Sequence, residues 1–276
     1  MSAFLEEMAV GSRARVREAE ARCSLAALER LASAAPAPAP LRLDASGFDL
    51  IAELKLRSPA SGRLAAADED LPGRLRDYAR AGAAAVSVLT EPSRFEGSLQ
   101  HLAAAATVLT PLGVPALRKD FVVDPYQLYE ARAAGAGGVL IILRMLSATQ
   151  TRELLECARR LGLFVLLEAF DEEDIARMHE LIEAHRDPNT LLAGLNCRDL
   201  TTLEVVPERL LELGSLLPTG VPRVAESGVT SAEDARAVAS AGYSLALVGS
   251  ALMRGGEAQQ LAASLIAAGR AARRTG

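Results

Sequence analysis

GVLIILRMLSATQTRELLECARRLGLFVLLEAF, residues 138–170, holds one complete strand–helix–strand unit. Gly138–Leu143 is an apolar run of strand length. Ser147 stands where a helix N-cap belongs, residues 148–161 read as the helix, and Gly162 stands at its C-terminal stop. Phe164–Leu167 is the next apolar run, and it ends on a charge, Glu168. A strand, a helix and a second strand in this order imply parallel strands joined by a right-handed crossover.

The same unit recurs outward in both directions. Apolar runs occur at Leu50–Leu54, Ala85–Leu89, Pro115–Leu117, Gly138–Leu143, Phe164–Leu167, Leu191–Leu195, Pro222–Ala225 and Leu245–Val248. Helical segments are expected at 69–81, 97–109, 125–134, 148–161, 171–185, 207–214, 231–241 and 257–269, with Ser231 as a further N-cap and Gly135 and Gly242 as further stops. Eight such units predict an α/β protein built as a single (β/α)₈ TIM barrel. A doubly wound sheet is the alternative, but the chain has no G-x-G-x-x-G turn.

Residues 4–33 read as helical, with Leu5, Met8, Ala9, Val16, Leu25, Leu28 and Leu31 near a 3.6 period. SAAPAPAP (33–40) follows as an extended linker, because alternating Pro cannot continue a helix. The expected division is an N-terminal extension with its linker, 1–40, and a catalytic barrel, 41–276. The chain has 276 residues and is 50% hydrophobic, which places it outside disordered classes. It has no apolar run near the ~18 residues of a membrane span and no signal-peptide pattern at its start, so a cytoplasmic protein is expected. A net charge of -5 and 4% aromatics argue against nucleic-acid binding. Three Cys and three His leave little for disulfides or a His-based metal site, so chemistry by Lys and carboxylates is expected. The expected partner is a phosphorylated small molecule, and the chain is expected to be a monomer or weak homo-oligomer.

The runs end on polar residues: Glu53 and Lys55, Lys119, Glu168, Asn196, and Glu226. Side chains alternate along a strand, so Glu53 and Lys55 share a face, as do Leu117 and Lys119. If each points inward with the apolar residue two positions earlier, five strands deliver two Lys, three Glu and one Asn to the carboxyl-end mouth, where barrel enzymes hold their active sites. The other reading is a ring of barrel-top salt bridges. Ser227-Gly228 and Gly249-Ser250 follow strands seven and eight, the usual barrel phosphate site, and Ser58 and Arg198 add a hydroxyl and a cation. His101, His179 and His185 read as surface residues, Cys23, Cys157 and Cys197 as structural. Asp171-Glu172-Glu173-Asp174 reads as a solvated first turn, and the closing GRAARRTG as a frayed basic tail.

IAELKLRSP (51–59), VSVLTEPSRFEGSLQHL (86–102), LRKDFVVDPYQLYEARAAGA (117–136), LLEAF (166–170), GLNCRDLTTLEV (194–205) and RVAESGV with LVGSALMR (223–254) resemble the indole-3-glycerol phosphate synthase family. The resemblance implies a (β/α)₈ barrel with an N-terminal helical segment over its mouth, acting in tryptophan biosynthesis. It implies conversion of 1-(2-carboxyphenylamino)-1-deoxyribulose 5-phosphate to indole-3-glycerol phosphate, CO₂ and water without cofactor or metal. Lys119 then matches the general acid and Glu168 the proton-transfer residue of the water-loss step. Lys55 matches the contact to the substrate carboxylate. Glu53 and Asn196 match residues that hold the substrate hydroxyls and the catalytic Lys, and Glu226 a carboxylate of that network. Ser58, Arg198, Ser227, Gly228, Gly249 and Ser250 match the phosphate positions; Phe95, Phe121, Leu200 and Leu203 match apolar walls around the anthranilate ring. The chain departs from the family at Ala60-Ser61, where Ser-Lys is common, at Phe170, where His is frequent, and at Cys197. Two other classes fit the residues less fully: a sibling sugar-phosphate isomerase or Schiff-base aldolase barrel, and a non-catalytic phosphate-binding paralogue.

Overall fold

The structure is a computed structural model, and it describes all residues except 1, 46, 67–68, 186, 188–189, 255–256 and 276. The chain enters through α1 (Ala3–Arg22) and α2 (Leu25–Ala34). It then runs β1 (Asp49–Leu54), α3 (Leu71–Arg80), β2 (Ala85–Leu89), α4 (Pro92–Phe95), α5 (Leu99–Leu109), β3 (Ala116–Lys119), α6 (Pro125–Ala133) and β4 (Gly138–Ile142). The second half is α7 (Ala148–Leu161), β5 (Phe164–Ala169), α8 (Glu172–Ala184), β6 (Leu191–Asn196), α9 (Glu208–Leu213), β7 (Arg223–Glu226), α10 (Ala232–Ser240), β8 (Leu245–Val248), α11 (Ser250–Arg254) and α12 (Ala258–Thr275).

Each of the eight strands pairs in parallel with the next, and β1 closes the ring on β8 through the register Asp49↔Leu245 to Ala52↔Val248. This is the (β/α)₈ barrel expected from the alternation. Both faces of each strand are covered, so the runs read as continuous apolar segments rather than alternating ones. Leu50, Ile51, Leu117, Val139, Leu166 and Leu192 are all within 2% of complete burial, and each contributes about 1.5–3 kcal/mol by leaving water. The expected helix signals hold. Ser147 and Ser231 cap α7 and α10, each in a reciprocal box with the residue at N3. Gly162 ends α7 with φ at 67°, a conformation open to Gly without steric cost.

The ladder outlasts the apolar runs. β3 extends through Lys119, β5 through Glu168, β6 through Asn196 and β7 through Glu226. These residues are therefore held by strand hydrogen bonds and do not hang on loops. Register aligns Asn196 with Glu226 and Glu226 with Leu247, while Lys119 aligns with Leu89 and Glu168 with Ile142 and Gly194.

The remaining segments correct several expectations. Helix over 4–33 is broken, because Ser24 caps a second helix through Ala27 N while Cys23 N closes on Ala19 O. Asp174 is buried, not solvated: it accepts the Phe170 N–H at 3.0 Å and faces Arg144 at 2.6 Å. The basic tail is not frayed. α12 runs to Thr275, and Arg270 within it reaches Asp49 at 2.7 Å and Phe48 O at 3.0 Å; the last residue, Gly276, lies outside the described residues. A hairpin of Arg57–Ser58 with Gly62–Arg63, α4 and α11 add short elements at the mouth that periodicity does not announce.

The extension is docked on β3 and α6. Ser12 Oγ donates to Phe121 O at 2.5 Å and accepts from Gln127 Nε2 at 2.9 Å. Arg15 pairs with buried Asp120 at 2.7 Å, and Tyr126 OH donates to Cys23 O at 2.8 Å. These bonds lay α1 beside the strand that ends in Lys119.

Candidate active site

The carboxyl ends of the strands surround a cavity of about 650 Å³. All sixteen residues singled out in the sequence line it. They are Glu53 and Lys55 from β1 and just beyond, Lys119 from β3, Glu168 from β5, Asn196 from β6 and Glu226 from β7, with Ser58, Arg198, Ser227, Gly228, Gly249, Ser250, Phe95, Phe121, Leu200 and Leu203. The inward alternation read from the strand ends is therefore what the barrel presents. Cys197, next to Asn196 but of opposite parity, is buried and does not line the cavity.

The charges form two linked sets. Lys55 Nζ pairs with Glu53 Oε1 at 2.6 Å. Lys119 Nζ lies 3.2 Å from Glu168 Oε2 and 3.4 Å from Glu226 Oε2. Asn196 Nδ2 donates to the same Glu168 oxygen at 3.1 Å, and its Oδ1 accepts from Ser227 Oγ and from Arg198 N at 3.0 Å each. The direct partners of Lys119 are thus Glu168 and Glu226. Asn196 acts on Glu168 instead of on the ammonium, and Glu53 has Lys55 as its contact, which refines the arrangement expected from the family resemblance.

Burial by itself would push the Lys119 ammonium toward neutrality, but Glu168, Glu226 and Glu53 outweigh it and hold the group well above its ordinary range, so it stays charged. Burial also disfavours the Glu53 anion, yet Lys55, Lys119 and Arg198 lower its carboxyl below the ordinary value. Glu226 goes the other way. Burial and the facing Glu168 raise its carboxyl well above the ordinary range, against the pull of Lys119. Its Oε1 is buried without a hydrogen-bond partner among the described residues, which adds to the cost of the anion.

Two glycines make room for these carboxylates. A Cβ at Gly194 would run into Glu226 Oε1 and approach Leu167 O at 3.1 Å, and a Cβ at Gly249 would run into the Glu53 carboxylate. The non-glycine residues with left-handed backbone, Glu96, Leu203 and Ser227, lie at or beside the mouth. Each holds a conformation costing about 1–3 kcal/mol. For Ser227 the turn aims the hydroxyl at Asn196, and for Leu203 it is closed by Arg198 donating to its carbonyl at 2.7 Å.

Part of the lining is apolar. Phe4 from α1 meets Phe121 edge-on at 5.9 Å between centroids, and Phe95 lies 6.1 Å from the same ring at a tilt of 44°. Leu200, Leu203 and Val205 also line the cavity. Phe4, the one aromatic of the extension, joins Phe95 and Phe121 in the lining, and Arg254 lines the cavity without having been assigned to it from sequence. Phe4 lies on a segment whose docking is set by contacts more than a hundred residues away in the chain. Among the described residues no three His, Cys, Asp or Glu side chains gather as ligands of a metal ion would, and no helix is long and apolar enough to cross a membrane.

A family model described as indole-3-glycerol phosphate synthase matches residues 5–265. A protein of that name from Parafrankia sp. (strain EAN1pec) is 43% identical over 268 residues, covering 96% of this chain and 96% of that protein. Indole-3-glycerol phosphate synthase 1 of Streptomyces coelicolor is 40% identical over 269 residues, covering 96% of this chain and 95% of that one. The synthase of Mycobacterium ulcerans is 38% identical with 96% and 94% coverage. Among solved structures, 3-hexulose-6-phosphate synthase from Salmonella typhimurium superposes with a TM-score of 0.61 at 14% identity, covering 81% of this chain and 99% of that chain. Thiamine phosphate pyrophosphorylase from Pyrococcus furiosus does so with 0.59 at 14% identity, covering 83% and 99%. At such identities the structural likeness shows the barrel fold alone.

Proposed function

The chain belongs to the indole-3-glycerol phosphate synthase family, and from that premise we propose how its residues divide the reaction. The enzyme is a decarboxylating lyase of tryptophan biosynthesis that closes 1-(2-carboxyphenylamino)-1-deoxyribulose 5-phosphate to indole-3-glycerol phosphate. The observation that carries the residue assignment is one ammonium, Lys119, held between Glu168 and Glu226 and lining a cavity that also presents an aromatic cluster and a set of Ser, Gly and Arg residues.

The phosphate sits among Ser58, Ser227, Gly228, Gly249, Ser250 and Arg198. The anthranilate ring lies against Phe95, Phe121, Leu200 and Leu203, with Phe4 of the extension, residues 1–40, closing over it. Anchoring both ends brings the aryl carbon bearing the carboxylate against the ketone carbon, the positioning this bimolecular-like closure requires. As that C–C bond forms, negative charge moves to the ketone oxygen. The Lys119 ammonium stabilises it and transfers a proton. Lys55 holds the substrate carboxylate until the C–C bond to it breaks, its electron pair returns to the ring and CO₂ leaves. The new hydroxyl then departs as water, with a proton supplied by the Lys/Glu set. Glu168 takes the proton from the adjacent carbon, and the double bond of the indole forms. Glu53 and Asn196 hold the substrate hydroxyls, and Glu226 sets the charge around Lys119. Lys and Glu supply both signs of proton traffic.

In this reading residues 41–276 form the catalytic barrel, the enzyme is cytoplasmic, and it is a monomer or weak homo-oligomer, which light scattering tests. Turnover of the carboxyphenylamino substrate, followed by the fluorescence of the indole product, tests the activity. Product without dependence on Lys119 contradicts the role given to that residue.

A further inference from the structure

One cation of the cavity wall has no task in the chemistry described so far. Lys55 is paired with Glu53 and Lys119 with Glu168 and Glu226. Arg198 and Arg254 line the same cavity, and among the described residues neither has a carboxylate within 4.0 Å. Arg198 is satisfied in part by Leu203 O. Arg254 donates to a neutral hydroxyl, Ser61 Oγ, at 2.7 Å.

The placement of Arg254 follows from α11. Ser250 and Arg254 stand four residues apart, so they share one side of the helical turn, and both line the cavity. The turn is fixed from behind by Arg74, which donates to Leu252 O at 2.8 Å, and from within by Met253 N to Gly249 O at 3.0 Å. Ser61 lies in the turn of the hairpin between Ser58 and Gly62, and Ser61 N donates to Ser58 O at 3.2 Å. Arg254 therefore links α11, which carries Ser250, to the hairpin turn that carries Ser58, and Arg198, from the segment after β6, lines the same cavity. Two guanidinium groups without carboxylate partners lining one cavity match an anion of two charges. Arg254 is exposed, so its guanidinium is held by one neutral hydroxyl and by solvent and is free to turn, and its planar fork suits two oxygens of one phosphate.

We propose that Arg254 is a second cation of the substrate-phosphate site, turning from Ser61 to a phosphate oxygen when the substrate enters. The inference rests on the phosphate reading of Ser58, Ser227, Gly228, Gly249 and Ser250 given above.

The test uses inorganic phosphate as a competitive inhibitor of the full-length enzyme, with melting temperature measured for every variant. Arg254→Gln is expected to raise the phosphate inhibition constant on the order of tenfold or more, the loss of a charge-assisted bond. Arg254→Lys is expected to recover part of that, because a point charge replaces the fork. If Arg254→Gln fails to fold, Arg254→Lys gives the reading, with a several-fold rise expected. An inhibition constant equal to the wild type in a folded variant overturns the proposal. If it stays unchanged while Arg198→Gln raises it, the phosphate site stands and Arg254 is only a tether for the hairpin. If inorganic phosphate does not compete with substrate in the wild type, the phosphate reading itself fails.

Discussion

Lys119 Nζ lies 3.2 Å from Glu168 Oε2, the oxygen that Asn196 also grips at 3.1 Å. A proton donor and its neighbouring acceptor are thus fixed from three strands, β3, β5 and β6, with no loop residue needed to set their distance.

Lys119→Met removes the donor and leaves Glu168 facing Glu226 with no cation between them. Turnover is expected to fall by about 10²–10⁴, the usual weight of a positioned acid, and stability to fall as Glu168 loses its partner. Steady-state assays and thermal melts of the same preparation check both. Turnover within tenfold of wild type would remove Lys119 from the chemistry.

Gly194→Ala puts a methyl group against Glu226 Oε1 on one side and the Leu167 carbonyl on the other. The strand backbone cannot yield, so the carboxylate must move off Lys119. The expected loss is about 1–3 kcal/mol of stability together with a drop in kcat. Denaturant unfolding and kinetics measure them; an unaffected protein would show that the close approach is relieved elsewhere.

Glu226 has its carboxyl raised by burial and Glu168, so the folded protein keeps a proton that the unfolded chain has already released. Stability is therefore complete below the unfolded value of 4.5 and falls as pH rises toward the raised folded value. Glu226→Gln keeps a hydrogen-bonding group without the charge. Its stability is expected to fall less than that of the wild type as pH rises above 4.5. Glu53 and Asp120, whose carboxyls are lowered, lose their stabilisation as pH falls instead and do so equally in both proteins. Urea unfolding across this range decides the matter, and parallel profiles would contradict it.

Phe4→Ala takes away the ring that meets Phe121 edge-on at 5.9 Å. KM for the aryl substrate is expected to rise by roughly tenfold, since an aromatic contact adds about 0.5–1.5 kcal/mol beyond its buried area. The phosphate inhibition constant is the internal control, because Phe4 sits on the apolar wall. A parallel rise in both constants would mean that the extension tightens the whole mouth instead of the aryl side.

Arg270, Asp174 and Ser24 show where reading the sequence stops working. The tail containing Arg270 looks like a frayed end because its stripe of charge has no partner nearby in the chain, yet Asp49 at the foot of β1 holds it. Asp174 looks like a solvated first-turn acid, but the neighbouring Arg144 makes its burial affordable. Ser24 inside a helical period was a cap signal that the surrounding leucines obscured. Each error is one of tertiary pairing or of a local signal masked by a longer pattern.

By itself the sequence determined the order of strands and helices and the identity of the polar residues at the mouth. Both are written in short-range periods: caps and stops within a few residues, and the two-residue alternation that turns Glu53, Lys119, Glu168 and Asn196 inward. Tertiary structure alone decided which of those charges meet. Glu168 and Glu226 lie 49 and 107 residues from Lys119 in the chain. They become its partners only when closure of β8 on β1 fixes the strand ends in register. The pairing, and with it the protonation of Glu226, depends on a low-dielectric enclosure that no local pattern contains.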